Sequence, residues 1–441
     1  MRMIGTLLVA LAVTAAACAP SNGGKATTPT HPSDAPTVSA PEETPEGDDP
    51  EETPTPGPVA MPTGDGAGWR YAYISKQRKT ELTDVTVAGP KEAWAVGSSG
   101  TKLLLLRYDG RRWREVDPPA ELNGVLPPTY PPASDEGLLP GEESPPNAEP
   151  TWGDVHVAAS APDNVWLLVP KGPLPADGNY FAFRWNGSRW LKMPTMHHTA
   201  HVADFKVFGP DDAWTLHGYY KPDAMHWNGR SWRRTRLPAD AHSLSGTGPE
   251  DVWAVGARDS GPAVTGAELN QPATMHWNGR SWRLIPTPTY AFAEPKPPEG
   301  SAVLSSVVAL ARDNVWAAGS HSYNHGEGRD LPVDPPPILL HWDGERWTKH
   351  TAPGCCGTDL AADGSGGILL STPGTYPFHT SRLSPTGQWG DVPRPPAAPN
   401  FQYLRDIDVK ALASAPRNGS AWAVGRLFNR KSQRAVIIGY G

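Results

Sequence analysis

Cysteine is nearly absent, with three residues in 441, at positions 18, 355 and 356. No Gly-x-Ser-x-Gly, phosphate loop or His-Glu-x-x-His occurs, so the local signatures of common hydrolases, nucleotide enzymes and zinc proteases are missing. A site assembled from distant parts of the chain leaves no such signature. The apolar run Ile4–Ala17 covers 14 residues, short for a bilayer span. A basic excess is lacking too. Net charge is -7, and residues 1–67 account for it, with nine acids against Arg2 and Lys25. The remainder is close to neutral, which argues against a nucleic-acid binder with a strong basic field.

What is abundant is proline (51), glycine (45) and tryptophan (18). Met1-Arg2-Met3 and the apolar Ile4–Ala17 stretch read as the n- and h-regions of a signal peptide, residues 1–17. Ala15-Ala16-Ala17-Cys18 resembles a bacterial lipobox. That resemblance implies acylation of Cys18 (palmitate or a similar chain), a new N-terminus there, and a cell-membrane address on the extracytoplasmic side. Ala15 departs from the leucine more usual in the family, and ordinary signal-peptidase cleavage is the alternative. Residues 18–66 are rich in Pro, Thr and Glu with almost no large apolar side chain. Such a segment cannot bury enough surface to offset its chain entropy and is expected to be a disordered, acidic spacer.

Residues 67–441 carry a repeat. The signature aromatic–Asn/Asp–Gly–x–x–Trp stands at Tyr108–Trp113, Trp185–Trp190, Trp227–Trp232, Trp277–Trp282 and Trp342–Trp347. Asn-Gly or Asp-Gly between strand-like runs is a strong hairpin signal. Upstream of each signature lies a strand opening with Trp, as in Trp94-Ala95-Val96-Gly97, Trp253-Ala254-Val255-Gly256 and Trp422-Ala423-Val424-Gly425. A degenerate copy over 359–392 keeps Gly387-x-Trp389 but has no second-strand Trp. The last copy stops after its third strand, and Gly68–Ile74 supplies a matching fourth strand at the other end. The expected fold is all-β: a seven-bladed β-propeller closed by the N-terminal strand. The blades resemble those of WD-repeat and kelch propellers, and the hairpins resemble the Asp-box of sialidase-type propellers without its leading Ser. The resemblance is specific for fold and weak for activity.

Strand order assigns the connections to two faces. Turns between strands one and two, and three and four, share one face and are short. Links from strand two to three and from blade to blade share the other and include the long segments 117–151, 257–272 and 320–337. Loops on a rigid scaffold carry function, so the loop-rich face is the expected binding surface. Tyr130, Tyr323 and Tyr376 on these loops suit glycan stacking. The short-turn face carries Arg111, Arg112, Arg189, Arg230, Arg280 and Arg346, which suggests that it meets an anionic membrane or wall polymer.

Candidate chemistry is sparse. Asp84, Asp154, Asp204, Ser243, Ser306, Asp359 and Asp406 recur at first-strand positions. The five carboxylates offer oxygens for Ca²⁺, or bond backbone between blades. His197-His198-x-x-His201 has zinc-like spacing, whereas His226, His276 and His341 precede signature tryptophans and read as packing residues. Cys355 and Cys356 form a vicinal disulfide or remain free thiols. The reading is a membrane-anchored, monomeric binding module, without an obligate cofactor, for an envelope protein or glycan. The alternative is a carbohydrate-active hydrolase or lyase with acids at the upper channel mouth.

Overall fold

The computed structural model describes residues 68–128, 152–171, 179–198, 201–217, 223–259, 269–292, 300–322, 336–353, 358–372, 378–396, 398, 406–415, 420–428 and 432–441. The chain divides into Met1–Glu52 and Thr53–Gly441, and every described residue lies in the second unit. Cys18, Cys355, Cys356, Tyr130, Tyr323, Tyr376 and most of the acidic 117–151 segment fall outside the described residues.

Among the described residues the one helical element is the short turn Ala120–Leu122; everything else regular is strand. Five sheets hold four strands each and a sixth holds eight. The four-strand unit is an antiparallel meander paired in chain order. We number these units I (80–115), II (156–197), III (202–236), IV (240–285), V (301–349), VI (359–391) and VII (406–440). Units IV and V make up the eight-stranded sheet, joined by a single parallel pairing of Asn270 with Ser301. Unit VII takes its outer strand from the far end of the chain. Trp69–Ile74 runs antiparallel to Gln433–Tyr440, with Trp69 opposite Tyr440 and Ile74 opposite Val436.

The first strand of each unit lies against the first strand of the next, and Asp406–Ala415 lies against Thr80–Gly89. The first strands therefore close a circle, and the arrangement is an all-β propeller. Pairing the two chain ends removes the free edge that unit VII would otherwise expose.

Three local devices explain why these residues fold this way. The first is the hairpin between strands three and four. The Asp109 carboxylate accepts the amides of Arg111 and Arg112, both at 3.0 Å. Asn186, Asn228, Asn278 and Asp343 do the same in units II to V. The following glycine sits at φ between +85° and +96° in those four hairpins, where a side chain is strained.

The second device is a bulge in the first strand. The register slips between Leu82 and Asp84, and between Leu304 and Ser306. There the first strand presses its carbonyls onto the second-strand glycine. A Cβ on Gly97 would sit 2.1 Å from the Glu81 carbonyl oxygen, and on Gly319 only 1.9 Å from that of Val303. This close approach is why Trp-Ala-Val must end in Gly.

The third device packs neighbouring units together. Trp94 of unit I inserts between Trp185 and Trp190 of unit II, both at 5.4 Å between ring centroids. Trp166 meets Trp227 and Trp232; Trp214 meets Trp277 and Trp282; Trp253 meets Trp342 and Trp347. Trp422 of unit VII meets Tyr108 and Trp113 of unit I, which carries the same contact across the closure. Each inserted ring meets the closing Trp edge to face, at 75° to 89°. Such pairs add about 0.5–1.5 kcal/mol each beyond the burial of their area. The signature is thus half of a three-ring contact, whose other half is the second-strand Trp of the preceding unit.

Unit VI breaks the pattern on both sides. Leu369 pairs with Arg382 as Trp94 pairs with Arg107, so leucine holds the place of the inserted Trp. Leu383, just after Arg382, holds the place of the first signature aromatic. Phe378 packs on Trp69 at 5.7 Å and partly fills the space on the unit VII side.

Candidate functional site

At one register position of the first strand stand Asp84, His156, Asp204, Ser243, Ser306, Asp359 and Ala411, opposite Val96, Leu168, Leu216, Val255, Ala318, Ser371 and Val424. Two residues expected in this ring stand elsewhere. Asp154 precedes its strand, and His156 takes the position. Asp406 begins its strand opposite Phe428, and Ala411 takes the position. Asp154 lies two residues before His156 and Asp406 five before Ala411, so these two acids are not equivalent in register to Asp84, Asp204 and Asp359.

The ring is mainly an inter-unit clasp. The Val157 amide donates to Asp84 Oδ2 at 2.9 Å, and the Leu244 amide to Asp204 Oδ2 at 2.7 Å. Between units V and VI the Leu360 amide donates to Ser306 Oγ at 3.0 Å, while Ser306 donates to Asp359 at 3.0 Å. Among the described residues no group of three or more His, Cys, Asp or Glu side chains could hold a metal ion.

The densest charge cluster joins units I, II and III. His156 lies 3.0 Å from Asp154 Oδ1 and 3.7 Å from Asp84 Oδ2. Asp154 also accepts the Tyr180 hydroxyl and faces His201 Nδ1 at 3.1 Å. Burial works against a charged imidazole at 156, yet the two carboxylates outweigh it and push its pKa up to about 10. Burial likewise opposes the Asp154 charge, but His156, His201 and Tyr180 hold its carboxyl below the usual range. The hydrogen bond to Asp154 raises His201. His156 therefore carries a positive charge at neutral pH between two carboxylates.

Lys206 contacts Asp204 at 2.9 Å, and its side chain stays about 45% open to water. Burial opposes its charge, but Asp204, with Asp84 and Asp359 adding, raises its pKa. Asp359 is raised by burial. These groups alternate in sign around the inner strands, and their polar atoms are largely committed to one another.

The His197-His198-x-x-His201 cluster is dispersed. His197 contacts Asn179 at 2.6 Å, His198 contacts the buried Asp223 at 2.8 Å, and His201 contacts Asp154. His198 also stacks on His217 at 3.6 Å. Both acids come from outside the sequence neighbourhood, which is why sequence reasoning missed them. His226, His276 and His341 stack on Trp214, Trp253 and Trp316 at 4.0, 4.5 and 4.3 Å. Their Nε2 atoms lie within hydrogen-bond reach of Asp212, Asp251 and Asn314.

The short-turn face is not a cationic plate. Asp163, Asp211, Glu250 and Asp313 sit directly against the hairpin glycines Gly187, Gly229, Gly279 and Gly344. Each of those acids adjoins a hairpin carrying Arg189, Arg230, Arg280 or Arg346, so acid and base stand together in units II to V, whereas unit I sets Lys91 against Gly110 beside Arg111 and Arg112.

Two open clefts flank unit VI. One, of about 360 Å³, lies on the unit V side and is lined by Trp316, His341, His350, Leu383 and Trp389. Burial holds both histidines below their ordinary value, so they are neutral at pH 7. The other, of about 410 Å³, lies on the unit VII side and is lined by Trp389, Arg382, Asp391, Val392, Pro393 and Tyr440. Both occur where the three-ring contact is incomplete. The sequence signal was available: unit VI lacks both the second-strand Trp, where Leu369 stands, and the first signature aromatic, where Leu383 stands.

Solved structures similar to this chain include YCF48 from Cyanidioschyzon merolae, at 12% identity and a TM-score of 0.47, covering 85% of this chain and 98% of that one. The WD40 β-propeller domain of Doa1 matches at 12% identity and 0.47, covering 84% and 97%. The Pan2 WD40 domain of Neurospora crassa matches at 8% identity and 0.47, covering 86% and 97%. No protein-family model and no curated protein matches the sequence.

Proposed function

We propose that this chain is a lipid-anchored binding module of the bacterial envelope, holding a propeller outside the membrane on an acidic spacer. Cys18 is the anchor and residues 18–66 are the spacer. Units IV and V count as separate blades, since one pairing joins them, which gives seven. The ligand, an envelope protein or glycan, is engaged by the loop-rich face.

The observation that carries this reading is the asymmetry of the connections. First-to-second turns are as short as Gly89 to Glu92, Gly209 to Asp212 and Gly248 to Asp251. On the opposite face the links run from Glu115 to His156, Asp259 to Asn270, Ile285 to Ser301 and Ser322 to Ile338. A rigid ring with elaborated loops on one side is the usual plan of a recognition surface. The inner-strand acids Asp84, Asp154, Asp204 and Asp359 favour a structural role, because their carboxylates are engaged by backbone amides, hydroxyls, His156 and Lys206.

The test has two arms. Metabolic labelling with an alkyne fatty acid should mark the wild-type chain and not Cys18→Ser, which should leave the membrane pellet; an unlabelled wild type overturns the anchor. Crosslinking on intact cells should give adducts lost on replacing residues 323–335 by a Gly-Ser linker but kept in Arg230→Glu with Arg280→Glu. The reverse pattern overturns the loop-face reading.

A further inference from the structure

We infer that the 360 Å³ cleft between units V and VI is a binding site for an uncharged sugar ring. It opens among the short turns, away from the long links. Gly366 and Gly367 on its wall lie between Ala362 and Ile368, and Ser384, Pro385 and Gly387 lie between Leu383 and Trp389.

The first feature that sets its chemistry is a missing ring. In the sealed seams an aromatic at the first signature position packs on the inserted Trp, as Trp185 does on Trp94 and Trp227 on Trp166. Here Trp316 and Trp389 are both on the wall, but Leu383 holds the place of that aromatic. His341 stacks on Trp316 at 4.3 Å, and His350 meets it edge-on at 4.9 Å. Trp389 is half-buried, so part of its ring is open to a ligand. The negative face of an aromatic ring attracts the polarised C–H groups of a sugar.

The second feature is neutrality. Among the described residues that line the cleft none is Asp, Glu, Lys or Arg. Burial keeps His341 and His350 below their ordinary value. Trp316 Nε1 donates to Asn314 Oδ1 at 3.0 Å, which fixes that oxygen as an acceptor. His341 Nε2 lies 3.0 Å from the same oxygen and therefore donates, leaving Nδ1 of the neutral ring as an acceptor. Aromatic walls with a few placed polar groups are the usual make-up of a small-molecule site. Hydroxyls match such groups, whereas a charged ligand would give up its hydration and meet no counter-charge. The cleft on the unit VII side carries Arg382 and Asp391 instead. Because the two faces are separate, the sugar site stands or falls apart from the loop-face reading.

The test is calorimetry on the full chain with uncharged trisaccharides of gluco, manno and galacto configuration. At least one should bind saturably. Trp389→Ala should weaken it roughly tenfold, the loss of one stacking contact. Leu383→Tyr puts a ring where the sugar would lie and should abolish binding. His350→Ala, at an exposed side chain, should weaken binding with the melting temperature unchanged, which separates lost binding from lost fold. The site is overturned if none of the three sugars binds, or if Leu383→Tyr binds as the wild type does. Tighter binding of a uronic-acid trisaccharide, or of N-acetyltyrosinamide, would overturn it as well.

Discussion

Units III and VI follow the same four-strand plan and differ in what fills the space beside them. Unit III sends Trp214 into unit IV and receives Trp166 from unit II, so both its faces are sealed by three rings. Unit VI sends Leu369 and offers Leu383, and a cleft opens on each side. The backbone ladder is kept in both, so sheet formation does not depend on the ring contact. What the rings add is the seal between units, and where it is relaxed the propeller gains surface.

The comparison is broken most directly by removing a ring. Trp214→Ala should cost about 3–5 kcal/mol, the usual range for a buried Trp truncation. Leu369→Ala should cost less, within the about 2–5 kcal/mol range for a buried leucine, because leucine is smaller than the tryptophan it replaces in the register. Chemical denaturation of both variants checks the order, and equal costs would show that the ring contact is not what distinguishes the units. Next in size is Gly97→Ala, where the new Cβ would meet the Glu81 carbonyl oxygen at 2.1 Å. It should cost more than Gly387→Ala, where the penalty is only that of a side chain at φ +82° with nothing within 4 Å, on the order of 1 kcal/mol.

A pH profile separates the charge cluster of units I to III from the rest. The folded pKa of His156 is about 10, against about 6.5 unfolded. Its contribution is complete below about pH 6.5 and is lost as pH rises through 10. Asp154, held below its ordinary value, contributes above about pH 4 and loses that contribution in acid. Melting temperature should therefore be highest between about pH 4 and 6.5 as far as this pair decides it, and should fall toward pH 10. In His156→Gln the alkaline decline should flatten. An identical slope in the variant would remove His156 from the account.

The smallest effect sharpens the comparison from the other side. Leu383→Tyr restores an aromatic next to Trp316 in the 360 Å³ cleft, and should be neutral or stabilise by up to about 1 kcal/mol. A loss above about 2 kcal/mol would mean that the site is overpacked by the ring.

Much of this was legible in the sequence because its signals are local. Asn-Gly and Asp-Gly mark hairpins through their own side chain and backbone, and Trp-Ala-Val-Gly marks a strand that must admit a neighbouring carbonyl. The pairing of Trp69 with Tyr440 was legible as well, since the last copy lacked a strand and Gly68–Ile74 matched it. The inner ring was legible only in part. Asp84, Asp204 and Asp359 stand as counted, but Asp154 and Asp406 fall two and five residues short of the shared register, where His156 and Ala411 stand. The acids that engage His198 and His201 come from other strands, so spacing alone suggested a metal cluster where the fold makes separate ion pairs. Acids on the short-turn rim were overlooked because the first-to-second turns were read for length rather than charge.

The central claim is that the two chain ends share one sheet and thereby close the ring. Hydrogen exchange on Arg70→Pro tests it, because the Trp69 amide faces away toward Pro393, so the next amide, Arg70, opposite Gly439, faces the C-terminal strand and proline removes it. The account predicts that residues 433–440 lose protection together with 69–74, and well before residues 202–236. Residues 433–440 exchanging as slowly as in the wild type would contradict closure by the N-terminal strand.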